Sequence, residues 1–213
     1  TRNYYNKFYL PLRQRLLNLN GFMTYNILNE YYLAIELTSR CNLKCTYCGR
    51  KSAHEKGWKN DGDIDYNLFK NILNKLKNKK VSIINFTGDE EPLLYNKLDM
   101  AIKETHTIFP KSIVKFHTNG LLLNENMIHK LIDNKLDEIV ISLNVLSKKE
   151  YEKIEGVDGY EKVVNNIKKL MDYKKHVKVN KPIVTIQILD KYVDNINILL
   201  DELIPYKNNY YLN

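Results

Sequence analysis

Hydrophobic positions along this chain recur with two periods, and the two trade places in a regular order. Tyr31 to Thr38 is an aromatic and aliphatic run ending at a polar turn, which predicts a buried strand. Further on, Tyr66, Phe69, Ile72, Leu73 and Leu76 return at spacings of three and four behind Asp65, a residue suited to cap a helix. Val81 to Phe86 then reads as a strand, Leu94 to Ile108 as a helix, Ser112 to Phe116 as a strand, Asn124 to Asn134 as a helix and Leu136 to Leu143 as a strand. Ser147 to Glu150 matches a capping box, and Tyr160, Val163, Val164, Ile167, Leu170 and Met171 mark one face of another helix. Ile183 to Leu189 and Tyr192 to Leu203 give a further strand and helix, and Tyr210 to Leu212 is long enough for a short sixth strand.

Strand and helix alternating at roughly 30 to 40 residues per unit is the mark of parallel strands joined by right-handed crossovers. The predicted fold class is α/β, as a partial (β/α)6 parallel barrel left open, with an open sheet as the other layout. In both, chemistry belongs in the loops past the carboxyl ends of the strands. Residues 1–30 are expected to form an N-terminal extension, with a capping helix at Leu10 to Leu19, and residues 31–213 the core domain. The segment Ser52 to Gly62, which holds Trp58, is expected to be a loop and a candidate flap.

Composition narrows the classes without choosing among them. The 213 residues are 44% hydrophobic and 27% charged, which excludes wholesale disorder and collagen-like or disulfide-scaffold chains. Neither a run of about 20 apolar residues nor the apolar core of a secretory signal occurs, so a cytoplasmic protein is expected. The net charge of +8 favours anionic partners, RNA among them, but the 33 basic residues are 28 Lys and 5 Arg. Lysine is a flexible point charge rather than the two-pronged reader that base recognition uses, and a solvated surface is the simpler account.

The three cysteines are the sharper signal. All fall in Cys41-Asn-Leu-Lys-Cys45-Thr-Tyr-Cys48, directly after the first predicted strand. An odd, tightly spaced set does not suit a disulfide framework and points to metal or redox use. Thiolates on one short loop suit an iron-sulfur cluster, and a cubane held by three leaves one iron open to another ligand. Two other readings stand beside this one. Positions 41, 45 and 48 also share one face of a helix, and His54 could complete a Cys3His zinc site. His106, His117, His129 and His176 occur singly and form no ligand pair; His117 is read as a packing or polar-edge residue.

The spacing Cys41-x-x-x-Cys45-x-x-Cys48, with the aromatic Tyr47 before its last cysteine, resembles the CxxxCxxC motif of the radical S-adenosylmethionine (SAM) superfamily. Phe86-Thr-Gly-Asp-Glu-Glu-Pro-Leu-Leu94 resembles that family's glycine-rich Glu-Pro segment, and Thr118-Asn119-Gly120 and Ser142-Leu-Asn144 end the next two strands. Four motifs thus follow four successive strands between about Tyr31 and Leu189. The resemblance implies a 4Fe-4S cluster on Cys41, Cys45 and Cys48, and SAM held by residues drawn from Tyr47, Gly88, Asp89, Glu90, Glu91, Thr118, Asn119, Ser142 and Asn144. Two positions depart from the pattern. Glu90 stands where relatives carry glycine, adding charge and bulk near the SAM amino group, and Asn144 stands where many carry aspartate.

What the resemblance implies for activity is reductive cleavage of SAM to a 5′-deoxyadenosyl radical that abstracts hydrogen from a substrate. It also implies a one-electron reductant such as flavodoxin or ferredoxin. The wording around Thr38 to Leu43 and Gly159 to Val163 is similar to the branch holding SPASM-domain and cofactor-biosynthesis enzymes, although no cysteine remains for an auxiliary cluster. Either a C-terminal region lies beyond this sequence or this member works without one. A peptide or protein residue is the expected substrate. Activation of a glycyl-radical enzyme, modification of RNA or a nucleoside, and a non-enzymatic zinc-binding module are the alternatives. No catalytic residue follows from the sequence.

Overall fold

The computed structural model describes residues 30–57, 60–189, 203 and 210–212. Apart from Tyr31 at the start of the first strand, the described elements lie in the compact unit Tyr32–Asn213, while the expected N-terminal helix, Trp58 and nearly all of the expected helix after Ile188 lie outside the described residues. The strands are β1 (Tyr31–Ile35), β2 (Val81–Phe86), β3 (Ile113–Thr118), β4 (Glu138–Asn144), β5 (Ile183–Ile188) and β6 (Tyr210–Leu212). Between them run the helices α1 (Arg50–Glu55), α2 (Tyr66–Leu76), α3 (Leu98–Ile108), α4 (Glu125–Asp133), α5 (Lys148–Glu155) and α6 (Tyr160–His176).

The six strands lie side by side in the order β1-β2-β3-β4-β5-β6, and the four pairs from β2 to β6 are parallel. Strand order that follows chain order without reversal is the winding of a barrel segment; a doubly wound sheet would reverse at a switch point. The partial α/β barrel expected from the sequence is therefore the fold observed.

Register sorts the side chains into two sets. Phe86 faces Phe116, Phe116 faces Ile139, and Ile139 faces Val184, and all four are fully buried. This set packs against the helices in the hydrophobic core; Phe69 of α2, for example, meets Phe86 edge-on at 6.0 Å between ring centroids. The alternate set is more polar: Asn85 pairs with Lys115, Lys115 with Glu138, and Ser142 with Gln187, while Ile83, Ile113, Val140 and Ile183 are its apolar members.

Local chemistry sets the helix starts. Asp65, Asn124 and Ser147 each accept a backbone N–H with their side chains and so begin α2, α4 and α5. Two expectations need correction. The helix expected from Leu94 begins at Leu98, because Glu91 caps a separate 3-10 turn, Pro92–Leu94, through its side chain. The stretch expected to be loop after the cysteines contains α1, a six-residue helix with no apolar periodicity and no side-chain cap to announce it.

Candidate functional site

The cysteine segment is a loop with a turn at Thr46 and Tyr47, which removes the reading of three cysteines on one helix face. All three are free thiols of intermediate exposure. Burial pushes the Cys41 thiol up, opposed by the Leu43 N–H that it accepts at 3.5 Å, and burial followed by the nearby Glu155 pushes Cys45 up further. Among the described residues no three His, Cys, Asp or Glu side chains converge closely enough to hold one ion. His54 Nε2 instead lies 3.5 Å from Asp61 Oδ1. A cubane bonds each thiolate to a different iron and needs no such convergence, so the soft, three-thiolate donor set on one accessible loop fits a 4Fe-4S group.

Hydrogen bonds tie this loop to the ends of the next three strand-helix units. Glu91 N–H donates to Arg40 O at 2.9 Å, Asn119 Nδ2 donates to Asn42 Oδ1 at 2.8 Å, and Thr46 N–H donates to Ile154 O at 2.8 Å. Behind the loop, Arg40 grips Asp63 through two nitrogens and donates to Leu94 O at 2.9 Å, while Arg50 reaches back to Ser39 O at 3.1 Å. The motif segments at Cys41–Cys48, Glu91 and Thr118–Asn119 are therefore neighbours in space.

Glu91 is the brace between two of those ends. It is 1% exposed, and its carboxylate accepts from Thr118 Oγ1 at 2.7 Å, Asn119 N at 2.8 Å and Leu93 N at 3.1 Å. Burial pushes this carboxyl up to about 7, with the three donors pulling it back. Gly120 follows with a φ of 77°, a conformation that glycine adopts without strain, and a Cβ there would press on Ile141 and Val163 at 3.1 Å. Gly88 is exposed, and a side chain there would run into the carboxylates of both Glu36 and Glu90. Glu90, the departure from the family pattern, thus stands beside a second acid, Glu36, which no motif pointed to.

At the end of β4 the register shifts between Ser142 and Asn144, and Asn144 takes a φ of 65°. Its Nδ2 donates to Tyr47 Oη at 2.6 Å and to Glu155 Oε1 at 2.9 Å, and Tyr47 Oη donates to the same Glu155 oxygen at 3.0 Å. The structure thus joins Tyr47 and Asn144 through Glu155, a residue that sequence reasoning missed. In Lys-Lys-Glu-Tyr-Glu-Lys-Ile-Glu155 it reads as one more charge on a solvated helix, yet it is 2% exposed. Asp89 is exposed, and Ser142 is half-buried on the polar side of the sheet. His117 is half-buried on that side too, its pKa lowered by burial and then by Lys115. Of the other histidines, His106 bonds Lys135 O and His129 stacks on Tyr173.

A parallel barrel segment carrying three free cysteines past its first strand, fastened to the ends of the strands that follow, has the frame and donor set that an iron-sulfur α/β protein requires. The profile of the Radical SAM superfamily matches residues 35–201, and the chain belongs to that family. Membership brings a 4Fe-4S cluster and SAM as cofactors. The chain is 31% identical over 160 residues to the tungsten-containing aldehyde ferredoxin oxidoreductase cofactor-modifying protein of Pyrococcus furiosus, covering 74% of this chain and 43% of that one. It is 29% identical over 177 residues to a GTP 3′,8-cyclase of Clostridium perfringens, covering 83% of this chain and 52% of the relative. The chain thus spans about half the length of these curated relatives. Among solved structures, methylornithine synthase is similar in fold, with a TM-score of 0.58 at 13% identity over 85% of this chain and 52% of that one. Among the described residues no helix is long and apolar enough to cross a membrane.

Proposed function

We propose that this chain reductively cleaves SAM and directs the resulting radical at a C–H bond of a bound substrate. The observation that carries the reading is the fastening of the Cys41–Cys48 loop, by side-chain and backbone hydrogen bonds, to Glu91, Asn119 and the end of α5. Cys41, Cys45 and Cys48 would hold the cluster, which would supply the electron for cleavage of SAM. Residues that hold SAM beside this loop would make sulfonium and electron donor parts of one assembly rather than partners in a rare encounter. Glu91 holds the Thr118–Asn119 turn in place, and the acids Glu36 and Glu90 supply negative charge beside Gly88 suited to an ammonium group. Tyr47, Asp89, Ser142 and Asn144 complete the set proposed to meet SAM.

For the substrate, a peptide or protein residue is the reading that the motif wording supports, with a flavodoxin- or ferredoxin-type donor supplying electrons. A specific observation favours a second reading. Asn85, Lys115, His117, Glu138, Ser142, Thr185 and Gln187 line one side of the sheet, where an interior without a ligand is ordinarily filled with apolar side chains. Such a wall suits a compact molecule rich in donors and acceptors, in keeping with the similarity to a GTP 3′,8-cyclase and to a cofactor-modifying protein. Two experiments test the proposal. Release of 5′-deoxyadenosine by the reduced, reconstituted protein tests the chemistry, and its acceleration by GTP or by peptides tests the substrate class. Zinc in place of iron, with no SAM turnover, would return the zinc-module reading.

A further inference from the structure

The last turn of α5 abuts the cysteine loop, and its final residue is an acid withdrawn from water. We infer that Glu155 is a positioning residue of the cluster loop, holding Tyr47 and Asn144 in one hydrogen-bonded set and placing a fixed negative charge beside Cys45. The inference rests on the proposed role of that loop in holding the cluster.

Tyr47 shows why positioning is needed. Its ring is 56% exposed, so packing alone does not fix it. Its hydroxyl is held instead, accepting from Asn144 at 2.6 Å and donating to Glu155 at 3.0 Å. Asn144 reaches that point through the register shift and left-handed backbone at the end of β4, a conformation that a non-glycine residue adopts at a cost. Glu155 accepts from both groups, and its carboxylate is close enough to Cys45 to push that thiol up. The neighbouring backbone reinforces the arrangement. Thr46 donates to Ile154 O at 2.8 Å, and Gly156, at a φ of 78°, ends α5 close to Lys44 O. Tyr151, one turn earlier, is fully buried, and its hydroxyl has no hydrogen-bond partner among the described residues.

Groups that bond to metal-binding side chains orient them and tune the metal. A buried carboxylate beside one thiolate of a cluster opposes the arrival of another electron, because net charge and hydrogen bonding near the sulfurs set the potential. Tyr47 and Asn144 direct an O–H and an N–H at that carboxylate and keep it in place. Glutamine at this position keeps the shape and loses the charge; alanine loses both.

The test compares the wild-type protein with Glu155→Gln, Glu155→Ala and Tyr47→Phe. Hydrogen exchange of residues 44–48 is followed in the cluster-free proteins, and EPR-monitored potentiometric titration, with iron content, in the reconstituted ones. Glu155→Ala is expected to speed exchange of the loop about tenfold or more, the effect of losing a charged hydrogen bond. Glu155→Gln is expected to keep slow exchange while its cluster titrates at higher potential, and Tyr47→Phe to speed exchange without raising the potential. Wild-type exchange and potential in all three variants would overturn the inference. If Glu155→Ala does not fold, the contrast between the other two variants decides. If wild-type protein takes up no iron, the cluster reading fails, while the exchange data still decide whether Glu155 holds the loop.

Discussion

The two sides of the sheet differ as sharply as any two regions of this molecule. Toward the helices stand Ile84, Phe86, Val114, Phe116, Ile139, Ile141, Val184 and Ile186, each with no exposed surface. Toward the other side stand Asn85, Lys115, His117, Glu138, Ser142, Thr185 and Gln187, most of them half-buried, with the buried Val140 among them. Parallel strands usually carry apolar residues on both sides because both are packed. Here one side supplies the cohesion, and the other keeps groups able to bond to something else. The same division recurs along the strand axis. At the carboxyl ends gather a buried acid in Glu91, a strained Asn144 and a half-exposed thiol loop, features that cost stability and are tolerated where function repays them.

Breaking the apolar side should have the largest effect on stability. Phe116→Ala is expected to cost about 3–5 kcal/mol in denaturant unfolding, the range for emptying a buried aromatic site. Next comes Glu91, whose folded carboxyl is pushed up to about 7 from the ordinary 4.5. Folding therefore takes up a proton, so the contribution of this group is fully present below pH 4.5 and is lost as pH rises to about 7. On the order of 3 kcal/mol is at stake across that window. Thermal unfolding of the cluster-free protein at pH 5 and pH 7.5 would register the slope, and Glu91→Gln should flatten it.

A smaller effect is expected where only a helix start is removed. Asn124 accepts from Met127 N at 3.0 Å, and Asn124→Ala should cost about 1 kcal/mol, read by urea midpoint. The smallest stability change belongs to the polar side. Gln187→Ala and His117→Ala should stay within about 0.5 kcal/mol of wild type. If that side binds substrate, these two variants should still release 5′-deoxyadenosine in the absence of substrate and lose the acceleration that substrate gives. A stability loss as large as that of Phe116→Ala would mean that the polar side is an ordinary core.

Much of this division is legible in the sequence, for identifiable reasons. The apolar residues of α2 and α6 recur at helical spacing, and Phe69, Leu73, Val163, Ile167 and Leu170 are indeed fully buried. The cysteine spacing is local, so it survives without knowledge of the fold. Glu155 was not legible, because its burial depends on α5 ending against a loop about a hundred residues earlier in the chain. Glu36 escaped for the same reason, and the short α1 because six residues carry no periodicity to read. The helix start at Leu98 was hidden by the side chain of Glu91, a residue noticed for its motif rather than as a cap.

The central claim is that the three-cysteine loop supports radical cleavage of SAM. It is tested most directly by measuring 5′-deoxyadenosine released from SAM by the anaerobically reconstituted, reduced protein beside a Cys41→Ala, Cys45→Ala, Cys48→Ala triple variant. The account predicts release by the wild-type protein and none by the triple variant, which should remain folded because its thiols are only partly buried. No release from wild-type protein carrying a fully assembled 4Fe-4S cluster, or equal release from both proteins, would contradict it.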